Sequence, residues 1–279
     1  MKQLFVQKGK PRIIDVPSPQ INPNNVLVQV HYSFVSSGTE MATLKASQQS
    51  LASKFINNIT THSAKLAECI HQNGVQGTLA LIKEKNKQVL PIGYACTGKV
   101  LHVGSNVKGF CIGDFVACAG SEFAYHADII SVPQHLLVKL KDDKFLKQSS
   151  ISTIGAIAMQ GIRRARVQLG EKIAIVGLGL IGQLTLQLAK LSGAEVFGID
   201  ISEQKLELAR RCKADTVYDN RQVNVEREII FATEHHGVDT TIITAGGVTG
   251  ELIDQAMRIT RRKGKVVLVG NVALNFDRE

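Results

Sequence analysis

A chain of 279 residues, 44% of them hydrophobic and 20% charged, has room for two ordinary domains and is too apolar for a disordered segment. The formal charge of +9 would suit nucleic acid or a phosphorylated ligand. Yet its basic groups, Arg163-Arg164-x-Arg166, Arg210-Arg211-x-Lys213 and Arg261-Arg262-Lys263, fall near expected helix C-termini, where the helix dipole favours cations. With no Trp and four Tyr, stacking platforms are scarce, and no nucleic-acid partner is expected.

In chain order, Val26 to Val35 alternates as a half-buried strand. Gly98 to Gly104 and Gly113 to Ala119 are further short β-type runs punctuated by Gly, Asn and Asp, which predicts a small irregular antiparallel barrel over residues 1–148. Between them, Met41 to Gln88 is rich in Lys, Gln, Ser and Ala, with helical spacing at Ala64, Ala67 and Ile70. An inserted helical lobe is expected there, at about 41–90. From residue 149 helices and strands alternate. A helix carrying Arg163, Arg164 and Val167 should end at Gly170. Strands follow at Lys172–Val176, Glu195–Ile199, Thr216–Tyr218, Val238–Thr244 and Lys265–Val269, with helices of ten or so residues between them. Short apolar strands separated by helices predict a doubly wound parallel sheet over 149–279, so the fold class is α/β.

No apolar stretch is long enough to cross a bilayer; the longest, Ile173 to Gly182, is about ten residues against a requirement of about twenty. Met1-Lys2-Gln3-Leu4-Phe5 opens without a signal peptide's apolar block. Cys69, Cys96, Cys111, Cys118 and Cys212 form no C-x-x-C pair, which fits a reducing cytoplasm and no Cys-rich metal site. The eight histidines show no metal-binding spacing either.

The sharpest local feature is Gly177-Leu178-Gly179-Leu180-Ile181-Gly182, directly after one predicted strand and opening a helix. Three glycines serve three ends: a tight turn at Gly177, close approach of a diphosphate at Gly179, and helix–strand packing at Gly182. Eighteen residues after Gly182 the second strand ends in Asp200. A carboxylate there accepts both ribose hydroxyls of a dinucleotide and repels a 2′-phosphate, which favours NAD over NADP; Lys205 is placed to reach the same ribose. A simpler and compatible role for Asp200 is capping the helix that begins near Ser202. Two later strand ends, Thr244-Ala245-Gly246-Gly247 and Val269-Gly270-Asn271, should face the same crevice.

A barrel domain followed by a dinucleotide-binding domain resembles the medium-chain dehydrogenase/reductase superfamily, whose members pair a GroES-like domain with a Rossmann domain. The resemblance is carried by Val35-Ser36-Ser37-Gly38-Thr39-Glu40, Gly93-Tyr94-Ala95-Cys96-Thr97-Gly98-Lys99-Val100, Val103-Gly104-Ser105-Asn106-Val107, Gly113-Asp114-Phe115-Val116, Phe123-Ala124-Tyr125 and the glycine loop. The Ser-Ser-Gly-Thr-Glu element with its long insert is similar to the N-terminal half of bacterial bi-domain oxidoreductases that accompany polysaccharide biosynthesis. A second oxidoreductase domain in a longer parent protein is thereby implied. The resemblance also implies a further strand and a return to the barrel beyond Glu279; without them an exposed sheet edge invites a homodimer or poor solubility.

Against the family pattern, Ser37 stands where a zinc-dependent member carries Cys, Tyr94-Ala95 where it carries His-Glu, and Ser152-Thr153 where its third ligand falls. Hydroxyls and an alanine cannot supply the ligands catalytic zinc prefers, so no metal is expected. An alcohol's proton must then leave to a side chain, and Glu40 and Tyr94, which flank that position in the family frame, are the candidates. Simpler roles are a turn-stabilising carboxylate and a packed aromatic. The expected function is a zinc-independent, NAD-linked oxidation of an alcohol or reduction of a carbonyl in a small molecule: a sugar, polyol or nucleotide-sugar. The alternatives are an NADPH-using quinone or enone reductase and a dinucleotide-binding module without catalysis.

Overall fold

The computed structural model describes residues 1–7, 9–36, 38, 40, 44, 89–246 and 250–270. The helical lobe expected at about 41–90 lies almost wholly outside these residues, as do Ser37, Gly247 and Asn271. The chain divides into two compact units, Met1–Thr153 and Ile154–Glu279.

The first unit is antiparallel. Strands β1 (Lys2–Gln7), β2 (Lys10–Asp15) and β4 (Leu90–Pro91) form a small sheet in the order β2-β1-β4. Strands β3 (Asn25–Ser33), β5 (Ala95–Val103), β6 (Phe115–Ala119), β7 (Ile129–Pro133) and β8 (Leu137–Lys139) form a five-stranded one in the order β7-β3-β5-β6-β8. Alternate residues of β3 (Val26, Val28) and β7 (Ile130, Val132) enter one core with Cys96, Val100, Val116 and Cys118. Leu137 of β8 and Ala124 close it. Gly98 sits where β3 and β5 press together; a Cβ there would collide with the Gln29 carbonyl. Cys96 and Cys118 are register partners across β5 and β6, both buried, and a side-chain hydrogen bond with Cys96, together with burial, pushes the Cys118 thiol well up. Sequence spacing gave no sign of this pair, because the sheet brings together residues 22 positions apart. A single helical turn, α1 (Leu146–Ser149), accepts from Thr97 Oγ1 at the Leu146 carbonyl.

The second unit follows helix α2 (Ser152–Ala165), whose residues from Ile154 on belong to it. It comprises β9 (Lys172–Val176), α3 (Leu180–Leu191), β10 (Glu195–Asp200), α4 (Glu203–Arg211), β11 (Thr216–Asp219), α5 (Val225–Ala232), β12 (Val238–Ile243), α6 (Gly250–Ile259) and β13 (Thr260–Leu268). The strands are parallel, in the order β11-β10-β9-β12-β13. β9 shows why its sequence is continuously apolar: Ile173 and Ile175 pack on one face with α2, α3 and α4, while Ala174 and Val176 pack on the other with α5 and α6.

Two boundaries differ from expectation. The α2 helix ends at Ala165, not Gly170: Arg166 takes the left-handed conformation (φ 53°) that stops it. Gly170 instead turns the chain into β9, its N–H bonded to the Gly193 carbonyl. β13 begins at Thr260, five residues early, because Arg261 to Gly264 bulge between two paired stretches. The basic run Arg261-Arg262-Lys263 therefore lies in a strand irregularity and not in a helix's last turn, with Arg261 Nε on Asp239 Oδ1 at 2.6 Å.

Two aspartates clamp the end of the sheet where the strands start. Asp215 accepts from Lys190 Nζ (2.7 and 2.8 Å) and from Val196 N (2.6 Å). Asp239 accepts from Lys172 N (2.7 Å) as well as from Arg261. Burial alone would raise both carboxyls, but these donors outweigh it and hold them below the ordinary 3.8. A group depressed in the folded state stabilises it above the unfolded pKa and loses that effect as pH falls through the folded one. The urea midpoint is therefore expected to hold steady from about pH 7 to 5 and to drop below about pH 4, with a shallower drop in Asp239→Asn. Leu186→Ala, in the middle of the α3 core, is expected to cost about 2–5 kcal/mol by the same measurement.

Candidate functional site

β9 runs out at Val176 and the chain turns sharply through Gly177, which adopts φ +92° with its N–H on the Ile199 carbonyl at 2.8 Å. A side chain at Gly177 would strike the backbone of Ala245 at 2.6 Å, and one at Gly182 would strike the Gly177 carbonyl. Gly179 is different. Nothing lies within 4 Å of where its Cβ would be. It is the N-terminal flank of α3, and its carbonyl accepts the Gln183 N–H at 2.8 Å. Leu180 and Ile181 follow in the first turn of α3, Leu180 exposed and Ile181 half-buried. The first N–H groups of a helix have no partner within it, and they carry its positive dipole end.

Asp200, at the C-terminal end of β10, is 7% exposed. Its Oδ2 accepts the Leu178 N–H of the glycine loop at 2.7 Å, and its Oδ1 accepts the N–H groups of Ile201 (2.8 Å) and Ser202 (2.9 Å). It thus holds the loop and shapes the turn into α4, whose N-cap residue Ser202 makes no side-chain cap bond. Lys205 Nζ stands 3.5 Å from Oδ2. A neighbour the sequence reading missed is Arg221, just past β11. It grips Asp219 with Nε at 3.2 Å and Nη2 at 3.0 Å, and its charge is further favoured by Asp200. Only the strand order, which lays β11 beside β10, brings it there.

Gln183, buried on α3, donates through Nε2 to the carbonyls of Leu178 (3.2 Å) and Lys205 (2.9 Å), while its Oε1 has no hydrogen-bond partner among the described residues. The two later strand ends do gather at the loop. Thr244 Oγ1 donates to the Gly177 carbonyl, and Thr244 and Ala245 both bond the Val176 carbonyl through their N–H groups. Val269 and Gly270 bond the Ile243 carbonyl, with Gly270 pressed on Ala245. Gly246 faces open space. The fit to a dinucleotide is therefore specific: an open, Cβ-free position at a helix start, beside an acid fixed by the same loop.

In the first unit, Glu40 and Tyr94 occupy different environments. Tyr94 is half-buried, its carbonyl accepting the Gly120 N–H. Glu40 is 6% exposed, its N–H on the Ser36 carbonyl, and its Oε1 lies 3.0 Å from His126 Nε2. His126 is itself 8% exposed, and its Nδ1 lies 2.8 Å from Ser33 Oγ at the end of β3. No motif could reveal this chain of three, whose members are 93 and 86 residues apart. Among the described residues no group of three His, Cys, Asp or Glu could hold a metal ion, and Ala95, at one family ligand position, offers no donor atom. The donor set does not fit catalytic zinc.

Comparison with known proteins bears on these features. The Zinc-binding dehydrogenase family matches residues 181–277. D-guloside 3-dehydrogenase of Shigella flexneri is 27% identical over 236 residues, 84% of this chain and 63% of the relative. These matches support a place near the medium-chain dehydrogenase/reductase superfamily, whose zinc-type members the chain resembles. Among solved structures of similar fold, galactitol-1-phosphate dehydrogenase from Escherichia coli superposes with a TM-score of 0.75 at 19% identity, over 100% of this chain and 78% of that one. A zinc-binding dehydrogenase from Sinorhizobium meliloti 1021, bound to NADP, gives 0.77 at 20% identity, over 100% and 79%. The chain spans about 63% of the length of the curated relative it matches. No helix among its described residues is long and apolar enough to cross a membrane.

The glycines separate folding from binding. Gly182→Ala is expected to lower the melting temperature sharply, because its Cβ meets backbone. Gly179→Ala should melt like the parent yet lose tenfold or more in dinucleotide affinity, read by calorimetric titration with NADH.

Proposed function

We propose that this chain is the cofactor-binding portion of an NAD-linked oxidoreductase that interconverts an alcohol and a carbonyl without zinc. The observation that carries this is the Asp200–Leu178 bond, which fixes a carboxylate beside the open Gly179. A diphosphate would lie against the backbone at Gly179 and the first turn of α3 (Leu180, Ile181, Gly182). The adenosine ribose would meet Asp200, with Lys205 at its flank. When bound, the nicotinamide supplies a hydride acceptor or donor. The chain's own residues orient it through the strand ends at Thr244, Ala245, Gly246, Val269 and Gly270. The zinc-independent part of the reading rests on Tyr94 and Ala95 at the family's ligand positions. A sugar, polyol or nucleotide-sugar is the proposed substrate class, in line with relatives that act on a guloside. A second oxidoreductase domain in a longer parent and a homodimer are the proposed partners, and a reducing, cytoplasmic setting suits the free cysteines Cys96, Cys111, Cys118 and Cys212.

Lys205 and Arg221 favour the rival reading, a reductase using NADPH, since either could meet a 2′-phosphate. Thermal-shift measurements with NAD, NADH and NADPH, each with zinc or a chelator, separate the two. NAD and NADH are expected to raise the melting temperature more than NADPH does, with no change on chelation. Asp200→Ala should erase that preference at some cost in stability. A shift with NADPH alone moves the assignment to the reductase, and no shift with any of the three leaves a module without cofactor.

A further inference from the structure

Three basic runs, Arg163-Arg164-x-Arg166, Arg210-Arg211-x-Lys213 and Arg261-Arg262-Lys263, lie far apart in the sequence, yet the parallel topology of the second unit collects them. Each helix there runs back to the end of the sheet where the next strand begins, so α2 and α4 bring their C-terminal residues to that end. The third run sits in the bulge at the start of β13, at the same end. α2 lies along β13, since a Cβ at Gly161 would meet Val269 and the Ala165 carbonyl accepts Lys265 Nζ at 2.8 Å. This sets the bulge beside the last turn of α2. Three acids at this end are already engaged: Asp215 by Lys190, Asp239 by Arg261 and Glu195 by Lys172. Arg210 turns back along α4 to Glu203 and Glu207. The other side chains of the three runs are exposed and make no ion pair among the described residues.

Between the runs stand two leucines. Leu169, after α2, is 86% exposed and Leu191, at the end of α3, is 85% exposed, more than any other large apolar side chain among the described residues. The Gly170 N–H bonds the Gly193 carbonyl at 3.0 Å, and a Cβ at Gly193 would strike Leu169, so the segments that carry the leucines abut. α3 packs on β9 and β10, α4 on β10 and β11, and α2 toward β12 and β13, so the pair has cations on either side. A lone exposed leucine needs no explanation. Two side by side, flanked by unpaired cations, make a surface that water serves poorly and that a fitting partner would cover.

We propose that this end of the second unit docks on an anionic lipid surface, with the cations of the three runs against the headgroups and Leu169 and Leu191 set at the headgroup–acyl boundary. Anionic headgroups attract clustered Lys and Arg over about a Debye length, and buried apolar side chains add to the hold. A nucleic acid would take up the cations and leave the leucines in water, and its bases would find no Trp to stack on. A bilayer surface satisfies both. The chain then lies on the membrane without crossing it. The glycine loop follows the last residue of β9, at the opposite end of the sheet, so the docking is independent of the oxidoreductase reading and is expected with or without a nucleotide.

Co-sedimentation of the full chain with large vesicles tests this. Vesicles of equal parts phosphatidylglycerol and phosphatidylcholine are expected to bind about tenfold or more tightly than phosphatidylcholine alone at about 0.1 M salt. The difference should vanish at about 1 M, where the screening length falls from about 10 to about 3 Å. Leu169→Ser with Leu191→Ser should lower the affinity about tenfold and leave the melting temperature in place, because both side chains stand in water in the free protein. Arg164→Gln, Arg211→Gln and Arg262→Gln together should lower it about tenfold and flatten its salt dependence. An affinity equal for the two kinds of vesicle, or unmoved by either combined variant, overturns the proposal; the first comparison needs no variant, and melting temperatures identify any that fails to fold. Random-sequence duplex DNA and single-stranded RNA serve as rival probes. Tighter binding to either than to the anionic vesicles, with the leucine change silent, reassigns the surface to nucleic acid and overturns the lipid reading.

Discussion

One hydrogen bond, from the Leu178 N–H to Asp200 Oδ2 at 2.7 Å, joins the two strands on which the second unit's function depends. A glycine turn has few side chains to hold it, so its shape must come from backbone partners. Asp200 supplies one from the neighbouring strand, Ile199 another through its carbonyl on Gly177 N, and Thr244 a third from the strand on the far side. The loop is thereby fixed by β10 and β12 together, and the adjacency of these strands to β9 is a property of the parallel sheet, not of the loop. The same carboxylate that would select a ribose is the one that shapes the turn. Geometry for the phosphates and chemistry for the sugar cannot be altered separately.

Much of this was legible in the residues. Period and punctuation located β9 to β12 to within a residue, because a sheet covered on both faces demands unbroken apolar runs such as Ile173-Ala174-Ile175-Val176. The glycine spacing and the acid at position 200 are local signals, tied to one turn and one strand end. Boundaries set by competing local choices were less legible. Arg166 and Gly170 both take positive φ (53° and 80°), and α2 ends at the first of them although glycine adopts that conformation more readily. The bulge in β13 is set by how Gly264 and Thr260 pack against β12, which no periodicity records.

The first unit shows the opposite limit. Ser33, Glu40 and His126 carry no spacing signal because an antiparallel meander brings distant segments together, and the identity of neighbours is decided by sheet order. The same holds for Cys96 and Cys118, opposed across two strands, and for Arg221 beside Asp200. What sequence did offer was the absence of soft or imidazole ligands at Tyr94-Ala95, from which Glu40 and Tyr94 were the candidates for handling a proton, with no sign of the His126 that lies against Glu40.

Gln183 joins two parts of the cofactor region that are otherwise separate, the Leu178 carbonyl in the glycine loop and the Lys205 carbonyl in α4. One side-chain amide thus acts as a strut between the glycine loop and α4. On the proposed reading, a group bound at either end would meet the same strut. A partial ligand that fills only the adenosine end would stiffen the turn for the half it lacks, and the molecule would answer to the two halves of its cofactor as a single object.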